Sequence, residues 1–122
     1  MRHGEGMRVV VADATAHVRS ALQLLLEQHP GVTCVAELSS GDGLVGVLDS
    51  VDADVLLVDS HVPKVELGSL LATVRQAHPR LRVVVLSTRP EEREPALAAG
   101  ADAFVSKGDA PDVLFESLSL SA

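Results

Sequence analysis

Val55-Leu56-Leu57-Val58 is an apolar run with no polar alternation, and it ends in Asp59 before Ser60-His61-Val62-Pro63. A strand of this kind has to be covered on both faces, as in parallel sheets flanked by helices. Open sheets of that class bind ligands in the crevice outside the carboxyl ends of their strands. Asp59, at the tip of the run, is therefore placed where chemistry would be done, and the other strand ends decide what stands beside it.

Three further runs have the same form. Val9-Val10-Val11-Ala12 ends in Asp13, Arg82-Val83-Val84-Val85-Leu86 ends in Ser87-Thr88, and Ala103-Phe104-Val105-Ser106 ends in Lys107. Val32 to Leu38 is more mixed, as suits an edge strand. Helical spacing fills the intervals. Thr15 can cap a helix with Val18, Ala21, Leu22, Leu25 and Leu26 on one face, stopped by His29-Pro30-Gly31. Leu44, Val47, Leu48 and Val51 define a weaker one, burdened by Gly43 and Gly46, and Leu70, Leu71 and Val74 a third, closed by His78-Pro79. Pro95 has no N–H and must lie in a first turn, so the stretch from Arg89 to Gly100 holds only a short helix. Pro111 starts the last helix, with Val113, Leu114 and Leu118 as its stripe. Strict strand–helix alternation predicts a parallel sheet wrapped by helices on both faces.

At 122 residues there is room for one core. Residues 1 to 6, with two glycines and no periodicity, read as a frayed lead-in. A net charge of −7 with scattered Lys and Arg argues against direct nucleic-acid binding. Phe104 and Phe115 are the only aromatic residues, which leaves little to stack on a base or a flavin ring. No run approaches a membrane span and no secretory signal opens the chain, so a cytoplasmic protein without membrane attachment is expected. Cys34 has no partner for an internal disulfide and reads as a buried, inert thiol. His3, His17, His29 and His78 lack metal-ligand spacing.

The strand tips thus bring Asp13, Asp59, Ser87-Thr88 and Lys107 to one edge. Two carboxylates can hold Mg²⁺, which is commonly bound through one or two carboxylates plus waters and phosphate oxygens. A carboxylate beside that ion can also attack phosphorus and form an aspartyl phosphate, provided cations offset the incoming charge. Lys107 would be one such cation, and the Ser87 hydroxyl would donate to a phosphoryl oxygen. Taken singly, each residue has a plainer role: Asp13 as a turn or helix-cap aspartate, Lys107 as a surface lysine, Phe104 as core. The convergence with Asp59 favours the chemical role for Asp13 and Lys107, while Phe104 remains most simply core.

From about Arg8 to Leu118 the chain resembles the receiver domains of bacterial two-component response regulators, of the NarL/FixJ type. The resemblance rests on Asp13 with Arg19 six residues on, on Leu-Leu-Val-Asp59 with Val62-Pro63, on Val-Val-Leu-Ser87-Thr88, and on the stretch from Ala99 to Lys107. It implies an α/β, flavodoxin-like three-layer sandwich over residues 7–120, with a five-stranded parallel sheet in order 2-1-3-4-5 and five helices. It further implies that Asp59 is the phosphoacceptor, loaded from a phosphohistidine of a sensor histidine kinase. Lys107 would be the family's site lysine, Ser87 the switch hydroxyl and Phe104 the switch aromatic. Mg²⁺ would sit on Asp13, Asp59 and the backbone carbonyl of His61. The protein would not be an enzyme, would act in transcription regulation through a partner or output domain, and could form a homodimer.

Three departures from the family pattern stand out. Receivers carry two adjacent acids after the first strand, whereas here Ala14 follows Asp13. Losing one ligand to a charged group costs ~1–3 kcal/mol, so Mg²⁺ is expected to bind about one to two decades more weakly. The turn from Pro63 to Gly68 has its glycine five residues after the proline instead of four, so a reshaped loop is expected. The segment from Ser87 to Lys107 is about two residues short, which predicts a stunted fourth helix. Two functions follow: a phosphorylatable receiver, or a degenerate receiver acting as a phosphorylation-independent protein-interaction module. A flavodoxin-like enzyme or cofactor carrier is disfavoured, since no glycine-rich phosphate loop follows the first strand.

Overall fold

In a computed structural model, which describes residues 6–118, each of the apolar runs is a strand of one parallel sheet. The strands are β1 (Met7–Ala12), β2 (Val32–Leu38), β3 (Val55–Asp59), β4 (Arg82–Ser87) and β5 (Ala103–Ser106), ordered β2-β1-β3-β4-β5. This is the flavodoxin-like order expected, with β2 at an edge. Most of the lead-in over residues 1–6, and the domain's last positions at 119 and 120, lie outside the described residues.

The helices are α1 (Ala16–Glu27), α2 (Leu44–Val51), α3 (Leu67–Ala77), α4 (Arg93–Ala98) and α5 (Pro111–Ser117). They divide between the two faces of the sheet, and the alternation of strand side chains determines which helices each residue meets. Val10, Leu56, Val58, Val83 and Val85 pack with Leu44, Leu70, Val74 and Ala96 from α2, α3 and α4. Val9, Val11, Leu57, Val84 and Leu86 pack with Leu26 and Leu114 from α1 and α5. The central strands are sealed from both sides, which is why their sequences lack polar alternation.

Local details refine the expected elements. Thr15 occupies the N-cap of α1, but its side chain makes no capping bond; Asp13 Oδ1 accepts the Thr15 N–H instead, at 2.9 Å. On α1 only Leu26 is fully buried, and Ala21 and Leu24 are exposed. On α5, Val113 is exposed while Leu114 is buried. Cys34 is partly buried, and burial, reinforced by the Glu37 charge, pushes its thiol up to about 11, so it stays protonated at neutral pH.

The two unusual loops have physical explanations. After β3 the chain passes through Lys64 at φ +70° and enters α3 at Glu66, whose carboxylate accepts from the Gly68 and Ser69 N–H groups. Gly41, before α2, donates to the Pro63 carbonyl at 2.8 Å and lies where a Cβ would come within 2.5 Å of both Val65 methyls. The fourth helix is indeed stunted. A 3₁₀ turn over Pro90–Glu92 precedes it, α4 has 6 residues, and Pro95 sits in its first turn, where the missing N–H has no intrahelical partner to lose.

Candidate functional site at the carboxyl edge of the sheet

Because every strand runs the same way, all carboxyl ends meet at one edge, and ladder-like backbone bonds continue one residue beyond the strands. Asp13 N–H donates to Leu38 O at 3.0 Å, Ser60 N–H to Leu86 O at 2.8 Å, and Lys107 N–H to Ser87 O at 2.8 Å. The residues at the tips are thereby held by the sheet itself rather than by free loops.

Lys107 joins the two aspartates. Its Nζ donates to Asp13 Oδ2 at 2.6 Å and lies 3.3 Å from Asp59 Oδ1. Asp13 is buried, at 1% exposure, while the Asp59 and Lys107 side chains retain 16% and 20%. Burial opposes the charge on Lys107, but the Asp13 hydrogen bond and the charges of Asp59 and Asp13 outweigh it, so its pKa lies above the ordinary 10.5. Arg19 anchors the other side of Asp13 by donating to its backbone carbonyl at 2.7 Å. Two carboxylates against one ammonium leave this centre with excess negative charge. Asp59 stays partly exposed, and Ala14 is exposed beside Asp13.

Ser87 stands on the opposite flank. Its hydroxyl is fully buried, accepts the Arg89 N–H at 2.9 Å and donates to Glu92 Oε1 in a short hydrogen bond. The same oxygen of Glu92 accepts from the Ser60 hydroxyl at 2.8 Å, and Oε2 lies 2.6 Å from His61 Nε2. Hydrogen bonds from Ser87 and Ser60, aided by His61, hold the Glu92 carboxyl at about 2, against a smaller cost of desolvation. Phe104 is buried in the layer beneath α3 and α4, with its carbonyl accepting from Arg93 at 3.3 Å.

The edge thus gathers Asp13, Asp59, Ser87 and Lys107, as their positions after apolar runs suggested, with His61 close by. The His61 side chain is largely exposed yet bound to Glu92, a contact with no trace in the spacing. Glu92 itself went unrecognised. It lies in a charged stretch between two prolines where hydrophobic periodicity carries no signal, and only its placement five residues after Ser87 could have raised it.

The fold and sequence are shared with known proteins. The response regulator receiver domain family matches residues 9–119. The chain belongs to that family. Among curated relatives, the nitrate/nitrite response regulator NarL of Escherichia coli is 27% identical over 124 residues, which cover 100% of this chain and 57% of NarL. A protein-glutamate methylesterase/protein-glutamine glutaminase of Oleidesulfovibrio alaskensis is 32% identical over 104 residues, covering 83% of this chain and 28% of that protein. Among solved structures, the isolated REC domain of RcsB from Salmonella enterica serovar Typhimurium, determined with the phosphomimetic BeF₃⁻, superposes with a TM-score of 0.83 at 27% identity. That match covers 93% of this chain and 86% of the other. The receiver spans about half the length of NarL, and its relatives are mostly response regulators, some of them joined to an enzyme.

Receiver domains generally bind Mg²⁺ at their acidic pocket. The donor set here fits that ion: two carboxylates at one edge, with excess negative charge and Asp59 partly exposed. No helix among the described residues is long and apolar enough to cross a membrane.

Proposed function

We infer that this receiver accepts a phosphoryl group on Asp59 and relays its presence to a partner or output segment. The observation that carries this is Lys107 bridging Asp13 and Asp59 at the strand tips. It supports a nucleophilic carboxylate with a fixed cation beside it. An Asp59 oxygen attacks phosphorus, the bond from phosphorus to the donor histidine nitrogen breaks, and the electron pair leaves with that nitrogen, which takes up a proton. Lys107 holds positive charge against the transferred oxygens, and the Ser87 hydroxyl, once free, donates to one of them. Asp13, Asp59 and the His61 carbonyl would hold Mg²⁺, which supplies further positive charge to the phosphoryl group when bound. With Ala14 in place of a second acid, this binding is weak. Ser87 and Phe104 carry the change outward toward α4.

A sensor histidine kinase is the proposed donor and a second copy of the chain a possible partner. Relatives named as transcriptional regulators point to an output in transcription, exerted by something other than this acidic domain, in the cytoplasm. A second function, as a phosphorylation-independent interaction module, is favoured by Ala14 and by the engagement of Ser87 with Glu92.

Intact mass after incubation with Mg²⁺ and a small phosphodonor separates the two. One phosphoryl adduct, absent from Asp59→Ala, is the expected result. No adduct even at high Mg²⁺ would favour the interaction module, and the Ala14→Asp variant would then show whether the missing acid is responsible.

A further inference from the structure

We propose that Glu92 is an internal latch on the receiver, a tethered carboxylate that occupies the Ser87 hydroxyl and must be displaced before a phosphoryl group on Asp59 can engage it. This rests on Asp59 being the phosphoacceptor. A serine hydroxyl has one proton to donate. Of the two acceptors beside it, Glu92 Oε1 is much closer than the Arg89 carbonyl at 3.4 Å and takes that proton, and Ser87 has no exposed surface. A phosphoryl oxygen, being an acceptor only, cannot share the hydroxyl with Glu92. It is also repelled by the carboxylate, so capture and latch exclude each other on two grounds.

The latch binds more than Ser87. Through one carboxylate it ties the loop after β3, by Ser60 and His61, to the end of β4. Glu92 is the residue immediately before α4, whose 6 residues begin at Arg93. Displacing its side chain therefore releases the β3 loop and the start of α4 together. The event at Asp59 gains a direct mechanical route to the helix without requiring a long lever. In the resting protein the same contact fixes those elements and sets a threshold for capture.

The test compares wild type, Glu92→Ala, Glu92→Gln and Glu91→Ala, the last as a control that removes an exposed neighbouring charge outside the latch. Initial phosphorylation by a small phosphodonor with Mg²⁺ is followed by intact mass. Amide hydrogen exchange is measured without donor. Glu92→Ala is expected to be phosphorylated about tenfold faster than wild type and Glu91→Ala, the gain from freeing one hydrogen bond to a charged group. Glu92→Gln is expected to fall between. Exchange should accelerate at Ser60, His61 and Arg89 in Glu92→Ala only. Equal rates in wild type and Glu92→Ala, with adduct formed in both, would overturn the latch while leaving Asp59 as the acceptor. If no variant forms adduct, the acceptor assignment fails instead, and the exchange data decide whether the tie exists: unchanged exchange in Glu92→Ala overturns it as well.

Discussion

Lys107 Nζ donates to Asp13 Oδ2 at 2.6 Å across 94 positions of chain, a closer contact than its 3.3 Å approach to Asp59 Oδ1. The lysine is thus seated primarily on the buried acid and reaches the exposed one from there. Its charge stands ready at Asp59 without being consumed by it.

Lys107→Ala should therefore destabilise the fold as well as the site. It leaves Asp13, buried to 1% exposure, without its cation, at a cost of about 3 kcal/mol; the lower end for breaking a buried pair applies because Lys107 is itself one-fifth exposed. Urea unfolding at neutral pH measures this, and adding Asp13→Asn should recover part of the loss. The pair also dictates an alkaline limit. The folded pKa of Lys107 is raised, so as pH rises the unfolded chain loses its proton first; the contribution is complete below pH 10.5 and is lost through the higher folded value.

Ala14→Asp should strengthen Mg²⁺ binding. A second carboxylate beside Asp13 adds a charged ligand worth ~1–3 kcal/mol, so titration calorimetry should show affinity higher by about ten- to a hundredfold. An unchanged affinity would mean that Ala14 does not face the ion.

Glu92 should make acid stability depend on its carboxylate. Its folded value is near 2 and its unfolded value 4.5, so below pH 4.5 the unfolded chain binds the proton first and stability falls with pH. Glu92→Gln removes that contribution. Wild type should therefore exceed the variant at pH 7, with the gap closing as pH falls from 4.5 toward 2, measured by urea unfolding at each pH.

Gly41→Ala should force the new methyl into Val65 and cost about 1–3 kcal/mol. Val65→Ala removes the obstructing methyls, so the double variant should regain much of the loss. A coupling energy near zero in the thermal-unfolding cycle would show that the loop yields without strain.

Four of the strands were legible because burial leaves unbroken apolar runs, and the four tip residues because each ends such a run; β2 was legible as an edge, from its mixed sequence and its partly exposed residues. The helices were harder to read. On α1 the stripe of Val18, Ala21, Leu22, Leu25 and Leu26 overstated burial, since the helix covers one flank of a narrow sheet and Ala21 stays exposed. Hydrophobic pattern reports what the core takes up and says nothing about polar contacts between loops. Glu92 was invisible for that reason: Ser60, His61 and Ser87 converge on it only after β3 and β4 have paired.

Ser87 and Glu92 are five positions apart, whereas Asp13 and Lys107 come from nearly opposite ends of the domain. That difference has consequences for the order of assembly. The Asp13–Lys107 pair can close only once β1 and β5 have both joined the sheet, whereas the Ser87–Glu92 contact needs only the turn that follows β4.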